Sequence, residues 1–198
     1  MTPRLNTWKN LRFLDPERVL IGLHNIATTY PLNGFSYEFS SLRRRDVRKF
    51  GEGRQAALFC YAMSKVVGAP VWFAQAEESD YDIVTRFVRR DVVQYAPVQL
   101  KELVPARVNA SANLQLELDK LIKYVDSTDL VVAVHVNRDM RLELDELRLP
   151  HGKLAQLWLY AATAPDQSKW AVFGDLLGSH PKRLDFSCPA PDWTPDPA

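Results

Sequence analysis

The chain of 198 residues predicts an α/β fold, a mixed central sheet with helices on both faces. Three observations carry that expectation. Two strand-like segments, Asp80–Val88 and Val92–Val104, are separated only by Arg89-Arg90-Asp91, the length of a tight hairpin turn. Leu130–Val136, "LVVAVHV", is a continuous apolar strand of the kind that sits inside a sheet covered on both sides. Between them, Leu114, Leu118, Leu121, Ile122 and Val125 form a helical stripe. A strand–helix–strand crossover of this type is right-handed and places its two strands parallel.

Taken in order, the first helix starts at Asp15-Pro16-Glu17. There Asp can cap free amides, Pro fits the first turn and Glu favours the positive end. Val19, Leu20, Leu23, Ile26 and Ala27 follow as its apolar stripe, and Pro31, Asn33 and Gly34 end it. A connector, "FSYEFSS", leads to the basic run "LRRRDVRKF" (42–50). A second helix is expected from about Glu52, burying Ala56, Ala57, Phe59, Cys60, Met63, Val66 and Val67, with Gly68-Ala69-Pro70 as its stop. "VWFAQA" is the first strand of a meander that the hairpin completes. Asn109 or Ser111 is expected to cap the crossover helix. Two later segments, "KLAQLWLYAATA" and "KWAVFGDLL", also read as strands. The division is one α/β domain over 1–186 and a Pro-rich tail over 187–198. Within the domain lie a helical extension (1–46), a core (47–136) and late strands (154–177).

Composition narrows the function classes. Hydrophobic residues are 46% and aromatics 11%, enough for a sizeable core, and the net charge of +1 announces no global nucleic-acid or membrane field. The two cysteines, Cys60 and Cys188, and four scattered histidines make neither a disulfide framework nor a zinc pattern. No stretch approaches the roughly 18 apolar residues of a membrane span. The opening residues have no apolar run of signal-peptide length. The expectation is a cytoplasmic protein with no membrane partner.

The chemistry concentrates on the hairpin. Residues two apart on a strand share a face, so Gln99 pairs with Lys101 on one strand and Asp80 with Asp82 on the other. If the strands pair, an acid, an amide oxygen and an ammonium converge. Carboxylate and carbonyl oxygens suit Mg²⁺, which takes few protein ligands and keeps several waters. The metal lowers the pKa of a bound water, and a lysine beside it neutralises charge developing on a phosphate. Pro97 cannot donate to a ladder, so a bulge or an edge is expected there.

With these residues in place, the segment resembles the PD-(D/E)xK nuclease superfamily. That family has a helix, a three-strand meander, a crossover helix and a further strand. Asp82 matches its acid, and Gln99-Leu100-Lys101 matches its tripeptide in the Gln form found in Mrr-like restriction enzymes. Glu52, in "GEGRQAALFCYA", matches the glutamate many members carry on the preceding helix. The chain is similar in outline to a bacterial family described as endonucleases. The resemblance covers roughly Val47 to Val136. It implies a restriction-endonuclease-like sheet, catalytic Asp82, Gln99, Lys101 and Glu52, and Mg²⁺ or Mn²⁺ held by Asp82 and Gln99. It also implies a nucleic-acid substrate, DNA ahead of RNA. Two departures accompany it. The Gln is neutral, so Glu52, Glu77, Glu78 or Asp80 must supply further charge, and "ESDYD" leaves Asp80 and Asp82 both open as the ligand.

Arginine forks grip phosphates, which makes Arg43, Arg44, Arg45, Arg48 and Lys49, with Arg89 and Arg90, the nucleic-acid candidates; the competing reading is a solvated helix face. Gly51-x-Gly53-x-x-Ala56 has the letters of a dinucleotide fingerprint, but basic residues precede it where a strand is required. His135 and Cys60 read as core residues, as do Trp158, Tyr160, Trp170 and Phe173, with base stacking the alternative for the aromatics. Two rivals stand beside the nuclease: an inactive relative that binds nucleic acid or protein, and an unrelated α/β protein whose late aromatic strands form a homodimer interface.

Overall fold

A computed structural model describes residues 3–29, 48–76, 80–124, 127–150 and 154–189. One seven-stranded sheet organises them, with its strands side by side in chain order. The strands are β1 (Val71–Gln75), β2 (Ile83–Arg89), β3 (Val92–Leu103), β4 (Val131–Val136), β5 (Gln156–Ala162), β6 (Lys169–Gly174) and β7 (Lys182–Ser187). β1, β2 and β3 form an antiparallel meander, β3, β4 and β5 are mutually parallel, and β6 and β7 return antiparallel. The hairpin pairing and the parallel β4 are as the sequence predicts.

Helices cover both faces. On one lie α2 (Pro16–Thr29) and α3 (Arg48–Val67), and on the other α1 (Pro3–Lys9) and α4 (Leu114–Asp119), which runs into a 3-10 turn over Lys120–Tyr124. Side-chain alternation splits the core into two layers. Val98, Leu100, Ala133, Trp158 and Tyr160 pack under α3, whereas Leu103, Val132, Val134, Leu157 and Leu159 pack under α4. The chain passes from one layer to the other around the β1 edge. Leu14 exchanges two backbone hydrogen bonds with Phe73 there, at 2.7 and 3.1 Å, and covers an edge that would otherwise invite pairing.

Local signals explain most boundaries. The Asp15 carboxylate accepts from the Glu17 and Arg18 amides at 2.9 and 3.3 Å, the cap its position implies. Gly68, at φ 72°, closes α3 in the left-handed conformation that glycine tolerates best. Arg90 and Asp91 have φ 50° and 60°, the backbone of a two-residue hairpin whose twist matches its strands.

Several expectations are corrected. α3 starts at Arg48, four residues before Glu52, so the final residues of the basic run are helical. Gly51 and Gly53 therefore lie inside a helix and form no phosphate loop. Asn113, and not Asn109 or Ser111, caps α4, its side chain accepting from the Leu116 amide at 2.8 Å. Asn109 instead accepts from Ser111 in a local turn. Ile122, expected inside, is 68% exposed while Tyr124 is buried. The reason is the switch to 3-10 geometry, in which residues three apart share a face and Leu121 pairs with Tyr124. Of the bulge or edge expected at Pro97, the edge is found: the β2–β3 register is unbroken, and Pro97 lies in the stretch of β3 before its pairing with β4 begins. β7 lies beyond the late strands expected over 154–177. Cys188, assigned to the tail, is half-buried and donates its amide to the Ser168 carbonyl at 2.8 Å. The rest of the Pro-rich tail, from residue 190, lies outside the described residues.

The β5–β6 end of the sheet depends on Gly174. Its φ is 154°, and an added Cβ would come within 2.5 Å of the Trp158 ring and 3.0 Å of the Leu157 carbonyl oxygen. Both groups belong to a central strand and cannot retreat. Gly174→Ala is expected to lower unfolding stability by about 3 kcal/mol, combining backbone strain with overpacking. Urea denaturation reads this directly, and a loss below about 1 kcal/mol would refute the account.

Candidate active site

The register builds the site. Ile83 faces Val98, so Asp82, one residue earlier, stands opposite Gln99. Asp82, Gln99 and Lys101 share the α4 face, because Ile83, Val98 and Leu100 point under α3. Asp82 Oδ2 accepts the Leu100 amide at 2.7 Å and also the Gln99 Nε2. Gln99 Oε1 accepts the Tyr124 hydroxyl at 3.0 Å. The Lys101 ammonium lies 5.6 Å from the centroid of the same tyrosine ring. Gln99 is only 6% exposed, whereas Asp82 is exposed and Lys101 half-buried. The result is a polar pair seated in the sheet with its anionic end open to solvent.

This geometry separates the two candidate acids. Asp82 touches Gln99 and the β3 backbone, while Asp80 is an exposed residue ahead of β2. Glu52 is half-buried near the start of its helix. It is on α3, which packs against the opposite face, although the start of α3 reaches the same end of the sheet, where Gln75 Nε2 donates to the Lys49 carbonyl at 3.4 Å. Glu77 and Glu78 lie outside the described residues, as do Arg43, Arg44 and Arg45. Arg48 begins α3, and Lys49 is exposed in its first turn.

Arg89 and Arg90 do not adjoin the site. They stand at the tip of the β2–β3 hairpin, and a strand from Asp82 to Arg89 spans about 23 Å at ~3.3 Å per residue. Arg86 is held between Trp72 and Phe13, at 5.2 and 5.9 Å from their ring centroids. Its charge serves the aromatic packing of the N-terminal segment.

The remaining candidates settle as core. His135 is 4% exposed and stacks on Tyr160 at 5.1 Å with a 12° interplanar angle. Trp158, Tyr160 and Trp170 are buried under α3, whereas Phe173 is half-buried on the opposite layer, with the Arg183 guanidinium 5.5 Å from its ring centroid. Burial pushes the Cys60 thiol well above its usual range, which leaves it unreactive.

Tyr124 is the site residue that sequence reasoning missed. Its signal was present in part, as an amphipathic side chain closing a helical stripe that ends on the Gln99 face.

Among the described residues, no three His, Cys, Asp or Glu side chains group as a metal cage, and no helix is long and apolar enough to cross a membrane. Compared with known proteins, the chain matches no family model, and no curated protein or solved structure is significantly similar to it.

Proposed function

We propose that the protein is a metal-dependent nuclease of restriction-endonuclease-like build, hydrolysing phosphodiester bonds with Asp82, Gln99 and Lys101. One observation carries this reading: the Asp82 carboxylate and the Gln99 amide touch across the strand register, with Lys101 on the same face. The element order around them agrees with it, since a helix, a meander, a crossover and a parallel strand follow in turn.

The donor set fits a hard divalent ion. Asp82 offers an exposed anionic oxygen, and a half-turn of the Gln99 amide would bring Oε1 beside it. The Tyr124 hydroxyl accommodates either orientation, because it accepts as well as donates. One carboxylate and one neutral oxygen suit Mg²⁺ or Mn²⁺ that keeps most of its waters. Bound there, the ion would lower the pKa of a water and screen the phosphate. Asp82 and Gln99 position the ion, Tyr124 fixes the Gln99 head group, and Lys101 meets charge developing on the phosphate. DNA ahead of RNA as the substrate follows from the family resemblance alone.

Gln99→Glu provides the test. It places a second carboxylate against Asp82, which repels without metal and attracts with it. Divalent affinity, measured calorimetrically, should rise about tenfold, and the metal-free Tm should fall. Unaltered metal affinity would remove Gln99 from the ligand set.

The second reading is an inactive relative that binds nucleic acid or a protein partner. The network from Leu100 through Asp82 and Gln99 to Tyr124 satisfies itself without an ion. Equal metal affinity in wild type and Asp82→Asn, with no cleavage of DNA or RNA by either, would favour it.

A further inference from the structure

Tyr124 does more than hold Gln99. The Lys123 ammonium lies 4.8 Å from the centroid of the ring that also carries Lys101 at 5.6 Å. Two cations thus gather on one aromatic residue beside the Asp82–Gln99 pair. Among the described residues, neither lysine has a carboxylate partner. Their neighbour Lys120 behaves differently, bound to Glu117 at 2.7 Å. Both ammoniums therefore attract an anion that arrives beside the ring. The turn is also well placed to receive a ligand, since Lys123 is exposed and Ile122 beside it is 68% exposed.

We infer that the Tyr124 ring gathers Lys101 and Lys123 into a phosphate clamp, with Lys123 gripping the nucleic-acid strand next to the phosphate that Lys101 serves. This rests on the nuclease reading and extends it by a residue and a route: the strand crosses the 3-10 turn Lys120–Tyr124. It does not reach the site from the hairpin tip, where Arg89 and Arg90 stand. The ring acts as a rigid shelf that limits where both flexible side chains can go, so less freedom is lost when phosphate binds.

The experiment measures binding of labelled single-stranded and duplex DNA, and of RNA, over a range of salt without divalent metal. Lys123→Ala should weaken binding about three- to tenfold near 0.1 M salt and reduce the salt slope by about 1, as loss of one phosphate contact does. Lys123→Arg should restore the slope. Lys65, 4.6 Å from the Tyr61 ring on α3, forms the same kind of contact away from the site, and Lys65→Ala should leave the slope alone. In cleavage assays, Lys123→Ala should raise KM and spare kcat. An unchanged slope in Lys123→Ala, with wild type binding normally, overturns the clamp and leaves the nuclease reading standing. Wild type that binds none of the three nucleic acids overturns both.

Discussion

Asp82→Asn is expected to lower phosphodiester cleavage at least about a hundredfold, by removing the carboxylate that contacts Gln99. The substitution preserves shape, so the loss has a specific origin. A neutral amide holds a hard cation far less well than a carboxylate does. There is a second, smaller effect. Asp82 Oδ2 accepts both the Leu100 amide and the Gln99 Nε2, and the asparagine carbonyl oxygen can take that place only as a neutral, weaker acceptor. Charge-assisted hydrogen bonds of this type contribute roughly 1.5–3 kcal/mol, so the metal-free variant should also unfold earlier. Divalent titration, a cleavage assay and thermal unfolding together separate the two effects. Asp80→Asn serves as the partner measurement, and should leave activity within a fewfold of wild type. Cleavage retained in Asp82→Asn and lost in Asp80→Asn would reverse the assignment made from the register.

The contrast between those two acids marks what the amino-acid pattern could and could not show. Alternation puts Asp80 and Asp82 on one face and cannot choose between them. The choice comes from where β2 begins pairing, which sets Asp82 opposite Gln99. The hairpin itself was legible, because Arg89-Arg90-Asp91 leaves room only for a tight turn. β4 was legible for another reason: its six residues are all buried, and a short Val-rich run suits a strand covered on both faces. β7 was not, since Lys182, Arg183, Asp185 and Ser187 are exposed and only Phe186 is fully buried. Charged residues on an edge strand protect it from unwanted pairing, and they erase its apolar signature at the same time. Tyr124 was hidden by geometry of a different kind. A helix stripe continued at 3.6 residues per turn turns Ile122 and Val125 inward, whereas the 3-10 turn brings Tyr124 in and sends Ile122 out. The partner of its hydroxyl is 25 positions away, beyond any local pattern.

Lys101→Ala is expected to reduce the single-turnover rate by about 10²–10³ while changing nucleic-acid affinity no more than about threefold. The split follows from what the ammonium meets. In the ground state it is one of several cations near the substrate, with Lys123 on the same ring. In the transition state negative charge grows on the phosphate beside the Asp82–Gln99 pair, and of the two lysines it is Lys101 that issues from the same strand as Gln99. Lys123 comes from the 3-10 turn beyond the Tyr124 ring and cannot replace it. Lys101→Arg should recover little, since a planar guanidinium is bulkier than the compact ammonium that this half-buried place accommodates. Rates at saturating substrate, compared with equilibrium binding under the same salt, read the two quantities apart. If Lys101→Ala weakens binding in proportion to its loss of rate, the lysine is a phosphate anchor like Lys123, and the charge of the transition state must be met elsewhere.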